Sequence, residues 1–163
     1  MTSDTVMLIA NIALTLSFIV AVVFGITQVR AAARDRRERL TLDALRSFET
    51  RDFAELLQYI NSHKVPANQQ ELRALPVPDQ VIFMEFAQQM ETLGIQVAEK
   101  LIDMDLVDKT LGSFVSTSWD KYKAFVFSMR ESDPFLAEYF QWLAERIRER
   151  MQRQPRRPFH EQR

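Results

Sequence analysis

Three carboxylates, Asp103, Asp105 and Asp108, form a D-x-D-x-x-D run, a spacing that invites a metal ion. A calcium loop needs further oxygen ligands and a glycine at its sharp turn, and this run has neither. The plainer expectation is one helix end and one helix cap, with all three carboxylates solvated. Glu85, Glu91 and Glu99 fall beside the core stripe of a long helix. Di-metal bundles place inward carboxylates there, paired with a Glu-x-x-His unit. The two histidines are His63 and His160, and neither follows a glutamate by three residues. His63 adjoins Ser62, but no serine stands in a G-x-S-x-G turn, so a Ser-His-Asp triad is not expected. The chain has no cysteine, which excludes disulfides, thiolate catalysis and cysteine-bound zinc. Its three glycines, Gly25, Gly94 and Gly112, cannot form a glycine-rich phosphate loop or a dinucleotide fingerprint. The expectation is no enzyme, with no catalytic, cofactor-binding or metal residues. A lipid- or nucleotide-processing enzyme using carboxylates such as Glu91 and Asp105 stands as an alternative.

The cations offer two further possibilities. Trp119, Tyr122, Phe125 and Phe127 beside Lys121 and Lys123 resemble a base-stacking surface, yet helical spacing explains these aromatics as core. Residues 79–145 carry 12 acids against five Lys or Arg, and that charge repels a phosphate partner, so no nucleic acid is expected there. Arg146, Arg148, Arg150, Arg153, Arg156 and Arg157 suit anionic lipid first, then nucleic acid, then mere solubility. Pro155-Arg156-Arg157-Pro158 matches a PxxP spacing, a short pattern that often arises by chance.

The element that positions everything else is Val6 to Val29, 24 residues without charge or proline. As a helix it spans roughly 36 Å, enough for a hydrocarbon core of about 30 Å. A helix satisfies its own backbone in lipid, which predicts a single transmembrane helix. A cleaved signal peptide would need a basic start and a shorter apolar run, whereas Met1-Thr2-Ser3-Asp4 has no Lys or Arg. Ala31-Ala32-Ala33 offers a cleavage-like site, but Arg30 stands before it. Arg30, Arg34, Arg36, Arg37 and Arg39 follow the span, against Asp35 and Glu38. That basic flank predicts an inner (plasma) membrane protein with its N-terminus outside and its C-terminal domain cytoplasmic. Ala13, Ser17, Ala21 and Gly25 recur every four residues along one ridge, where two helices can approach closely. Asn11 sits near the outer end and can hydrogen-bond across such a pair.

Beyond the span the chain divides, in this reading, into a short external start (1–5), the span (6–29), a basic juxtamembrane stalk (30–48), a helical bundle (49–151) and a disordered basic tail (152–163). The stalk is rich in Ala, Leu, Arg and Glu and continues the helix, with Leu42, Leu45 and Phe48 as its docking face. Thr50 caps a helix to Ser62 that carries Phe53, Leu56, Leu57 and Ile60 on one side. Residues 63–78 hold three of the six prolines and form a connection with a short helix near 68–74. Pro78 or Asp79 opens the longest soluble helix, to about Met104, with Ile82, Phe86, Met90, Leu93, Val97, Leu101 and Met104 at core spacing. Gly94 inside it marks close packing or a kink. Asp105 caps a short turn closed by Gly112, and Ser113 or Ser116 starts a helix bearing Val115, Trp119, Tyr122, Val126 and Met129. Ser132-Asp133-Pro134 starts the last helix, with Leu136, Phe140, Leu143 and Ile147 facing one way and Phe135, Tyr139 and Trp142 widening the stripe. No strand pattern or internal repeat occurs. The class is all-α: a transmembrane helix and stalk, then a cytosolic bundle of about five helices.

The stalk end ALRSFET, the stretch ETLGIQVAEKLIDMDLVDKTLG, the Trp-bearing helix and FQWLAERI together resemble an uncharacterised bacterial family of small membrane-anchored helical proteins, a domain of unknown function. The likeness covers roughly Arg30 to Arg148. It implies a bacterial inner-membrane protein with a helical cytosolic domain and carries over no catalytic residue. The expected function is a membrane-anchored interaction or scaffold protein that contacts lipids and self-associates. An accessory subunit of a larger membrane complex, such as a transporter or defence system, is the alternative.

Overall fold

The computed structural model describes residues 3–155 and 161. Regular structure among them is entirely helical: α1 (Ser3–Arg46), a 3-10 turn (Ser47–Glu49), α2 (Arg51–Ser62), α3 (Gln69–Arg73), α4 (Val77–Ala98), α5 (Met104–Met129) and α6 (Glu138–Arg153). The chain forms two compact units, Met1–Arg39 and Leu40–Arg163.

The first unit is the greater part of α1. Its most apolar 18-residue window has a mean hydropathy of 2.6, and none of that window is buried in the protein. A helix with apolar side chains all around must find an apolar surrounding elsewhere. Its hydroxyls are satisfied within the helix: Thr15 donates to the Asn11 carbonyl at 2.8 Å and Thr27 to the Phe24 carbonyl at 2.8 Å.

The second unit is a bundle built on α4, α5 and α6, with α6 packed most extensively against the other two. Phe86, Tyr122 and Phe140 form its centre. The Phe86 and Tyr122 rings stack at 5.1 Å, and Phe140 meets both edge-on. Trp119 packs edge-on against Phe140 at 5.2 Å, and Phe114 links Phe86 to Phe53 of α2. The Tyr122 hydroxyl donates to the Phe83 carbonyl at 3.2 Å, and burial pushes its phenol well above the usual range.

The start of α2 follows the expected cap: Thr50 Oγ1 accepts from Phe53 N at 3.2 Å. Asn68 does the same for α3 through Glu71 N at 2.9 Å. At the end of α1 the docking face differs from Leu42, Leu45 and Phe48. Leu45 is buried and Phe48 packs against the core, but Leu42 stays 47% exposed and Thr41 is fully buried in its place. The Thr41 hydroxyl accepts the Asp103 N–H at 2.7 Å, so a polar contact helps to set the helix rotation there.

Three boundaries depart from the sequence expectation. Helix α4 stops at Ala98, six residues early, because Lys100 turns left-handed with φ 58°. Lys100 N then donates to Val97 O, and Leu101 N to Gln96 O, closing a Schellman turn without its usual glycine. Leu101 is consequently exposed and Ile102 enters the core. Helix α5 runs unbroken through Gly112, capped by Asp103 and not by Asp105; Asp103 Oδ1 accepts from Asp105 N at 2.8 Å and Leu106 N at 3.2 Å. Burial of Val107 and Val115 on either side outweighs the cost of about 1 kcal/mol for a helical glycine. Helix α6 begins at Glu138 and not at Pro134. Asp133 Oδ1 accepts from Phe135 N in a local turn, and Ala137 adopts φ 52°, ψ 36°, which no continuous helix allows.

Candidate functional site

The membrane-type features lie on α1. Ala13, Ser17, Ala21 and Gly25 follow one another at four-residue steps, each about 40° around the axis from the last, so they trace an inclined ridge roughly 18 Å long. All four are exposed, as is Asn11. A Cβ added at Gly25 would meet nothing within 4 Å, so its surface is open to a neighbour. Arg30, Arg34, Arg36 and Arg39 are exposed and Arg37 is partly covered.

The carboxylates have structural partners instead of a common centre. No group of three His, Cys, Asp or Glu suited to a metal occurs among the described residues. Asp103 caps α5. Asp105 pairs with Arg150 of α6, and the nearly buried Asp108 lies 3.6 Å from Arg150 Nε. Glu91 of α4 accepts from Tyr139 N at 3.2 Å and Phe140 N at 2.7 Å. A carboxylate is thus fixed at the positive N-terminus of α6, in place of a cap supplied by the local sequence.

Ser62 and His63 do touch: Oγ lies 3.0 Å from Nδ1. The same nitrogen lies 3.0 Å from the Tyr59 carbonyl, which can only accept. The Ser62 hydroxyl also donates to the Gln58 carbonyl at 2.8 Å, so both side chains are engaged with the last turn of α2. The ring also stacks on Tyr59 at 3.9 Å, making this a helix-end cap.

Trp119, Tyr122 and Phe125 are buried core, whereas Phe127 is half exposed with the Arg130 guanidinium 5.6 Å from its ring centroid. Lys121 holds the end of α2 through Asn61 Oδ1 at 2.9 Å, and Lys123 pairs with Asp120 at 3.0 Å. The arginines of α6 are engaged with acids: Arg146 and Arg153 with Glu149, Arg148 with Asp120, Arg150 with Asp105 and Asp108. Arg156, Arg157, Pro158 and His160 lie outside the described residues.

One surface feature was not expected from the sequence. An open groove of about 360 Å³ runs between the 3-10 turn and α4, with Ser47 and Phe48 on one wall and Glu85, Gln88, Thr92 and Gln96 on the other. Its mark in the sequence is the polar run Glu85, Gln88, Gln89, Thr92 and Gln96 on the flank of α4.

The sequence profile of DUF4760, a domain of unknown function, matches residues 15–147. The chain belongs to the DUF4760 family. The match begins inside the apolar segment of α1 and ends within α6, so part of the apolar helix and the bundle fall under one family pattern. No curated protein and no solved structure shows significant similarity to the chain.

Proposed function

We propose that this DUF4760 chain is a single-pass membrane protein whose helical bundle acts as a non-catalytic interaction module on the cytoplasmic face. One observation carries this: α1 presents 24 uncharged residues, exposed on every side, followed directly by five arginines within ten residues. Inclusion of residues 15–29 in the family match supports a helix that works together with the bundle. The finer proposal is self-association through Ala13, Ser17, Ala21 and Gly25, with Asn11 hydrogen-bonding between copies. Lipids, a second copy or another membrane subunit are the partners that this arrangement fits.

The test begins with alkaline carbonate extraction of membranes from cells making the full chain. Retention in the pellet is expected, and release into the supernatant would exclude a spanning α1. Association in the membrane is then compared between wild type and the double variant Ala21→Ile, Gly25→Ile. Loss of association supports the ridge. Unchanged association removes it, and a stoichiometric foreign subunit co-purifying with the chain would point instead to an accessory role.

A further inference from the structure

Among the described residues, the outer face of α4 presents large apolar side chains that no other element of the bundle covers. Val77, Val81, Met84 and Ile95 of α4 are 69%, 56%, 42% and 40% exposed. With Gln88 they fall within about 60° of arc and form a seam of roughly 27 Å. Their spacing repeats the a/d pattern by which one helix receives another. The groove lined by Phe48, Glu85, Gln88 and Gln96 runs alongside the seam, giving it a recessed wall. The charge on this helix has one sign. It holds Asp79, Glu85 and Glu91 and no Lys or Arg, with Glu99 at its C-cap. Glu91 is engaged with α6, leaving Glu85 and Glu99 exposed near the seam. A second copy presenting the same face would set carboxylate against carboxylate, which opposes a symmetric pair.

We propose that the outer face of α4 docks a cationic amphipathic helix of a partner protein. Its apolar i, i+3/i+4, i+7 anchors would lie along Val77, Val81, Met84 and Ile95, and its Lys or Arg flanks against Glu85 and Glu99. This rests on the interaction-module function proposed above and supplies the chemical class of its partner.

The test uses full-length protein in a non-ionic detergent, with methyl-labelled methionine observed by NMR. The probe is an 18-residue Leu/Lys peptide of helical amphipathic period, with a period-scrambled isomer and a Leu/Glu analogue as controls. The Met84 methyl signal shifts on titration with the Leu/Lys peptide, while that of buried Met90 does not. Val81→Asp, and separately Glu85→Lys with Glu99→Lys, weaken binding by at least about tenfold; both sets lie at exposed positions and leave the thermal transition in place. Equal shifts with the scrambled or Leu/Glu peptide, or no Met84 shift, would overturn the proposal. So would a fall in particle mass from dimer to monomer in Val81→Asp, which would make the face a contact between copies. Carbonate extraction tests the membrane assignment separately: a chain released from the membrane whose Met84 still responds keeps the docking face and loses only the anchor.

Discussion

Gly94→Ala is the most informative substitution in the bundle, because two effects of opposite sign meet there. Alanine in the interior of α4 would gain about 1 kcal/mol from helix propensity. Its methyl, however, would lie 2.6 Å from the Tyr139 carbonyl carbon and 2.9 Å from Tyr139 Cβ, with the carbonyl oxygen also inside contact distance. Those atoms belong to the first turn of α6, so no side-chain rotation relieves the clash and the two helices must separate. Overpacking of this kind costs about 1–3 kcal/mol. Separation also lengthens the bonds from Tyr139 N and Phe140 N to Glu91, and a hydrogen bond to a charged group contributes about 1.5–3 kcal/mol. The net expectation is a loss of about 2–4 kcal/mol, or a Tm lower by on the order of 10 °C in a bundle of this size. The assay is thermal unfolding of the full chain in mild detergent, followed by circular dichroism. Gly25→Ala, whose methyl would enter open space, serves as the control and leaves the bundle transition unchanged. An unchanged or raised Tm for Gly94→Ala would refute the close α4–α6 contact.

Thr41→Val removes the hydroxyl that accepts the Asp103 N–H and should destabilise the bundle by about 1–3 kcal/mol, with faster amide exchange at Asp103; Thr41→Ser should recover most of the loss in denaturant melts. Burial raises the Tyr122 phenol, so its contribution is complete below the unfolded value of about 10 and is lost as pH rises above it. Ultraviolet difference titration should therefore find one of the three tyrosines ionising only with unfolding. The Asp120 carboxyl is held below its usual range, chiefly by the Lys123 hydrogen bond, with the Arg148 charge adding and partial burial opposing. Its contribution is present above about pH 3.9 and disappears as pH falls through the folded value. Because both pairs are half exposed, Asp120→Asn should cost less than about 1 kcal/mol at neutral pH, and the gap to wild type should close in acid.

Signals carried by local residue types were legible from the chain alone. An uncharged apolar run, the cap at Thr50, and the stripe from Phe86 through Val97 need only periodicity and a side-chain oxygen in the right place. The boundaries at Ala98, Gly112 and Glu138 depend on contacts distant in sequence or on unusual residues in special conformations. Lys100 does the work of a C-terminal glycine, so nothing in residues 98–102 announces the end of α4. Gly112 resembles a helix terminator but sits where Ile147 Cγ2 would lie 3.3 Å from any added methyl, and packing carries α5 through it. The cap of α6 is Glu91, nearly 50 residues upstream, which no local pattern discloses. Leu42 stays exposed and Thr41 is buried, where its hydroxyl accepts the Asp103 N–H from 62 residues downstream, a contact that no local pattern discloses. Asp103 and Glu91, two of the carboxylates singled out for chemistry, hold helix ends, and Asp105 and Asp108 pair with Arg150; sequence alone does not separate structural from chemical uses.

The absence of cysteine makes the central proposal directly measurable. Single cysteines placed at Ser3 and at exposed Lys100 can be labelled with a membrane-impermeant maleimide in intact cells and again after permeabilisation. If α1 crosses the membrane with its arginines inside, Ser3→Cys labels in intact cells and Lys100→Cys only after permeabilisation. Labelling of both only after permeabilisation, with the protein extracted by carbonate, would contradict the spanning helix; the reverse labelling pattern would keep the span and overturn its orientation.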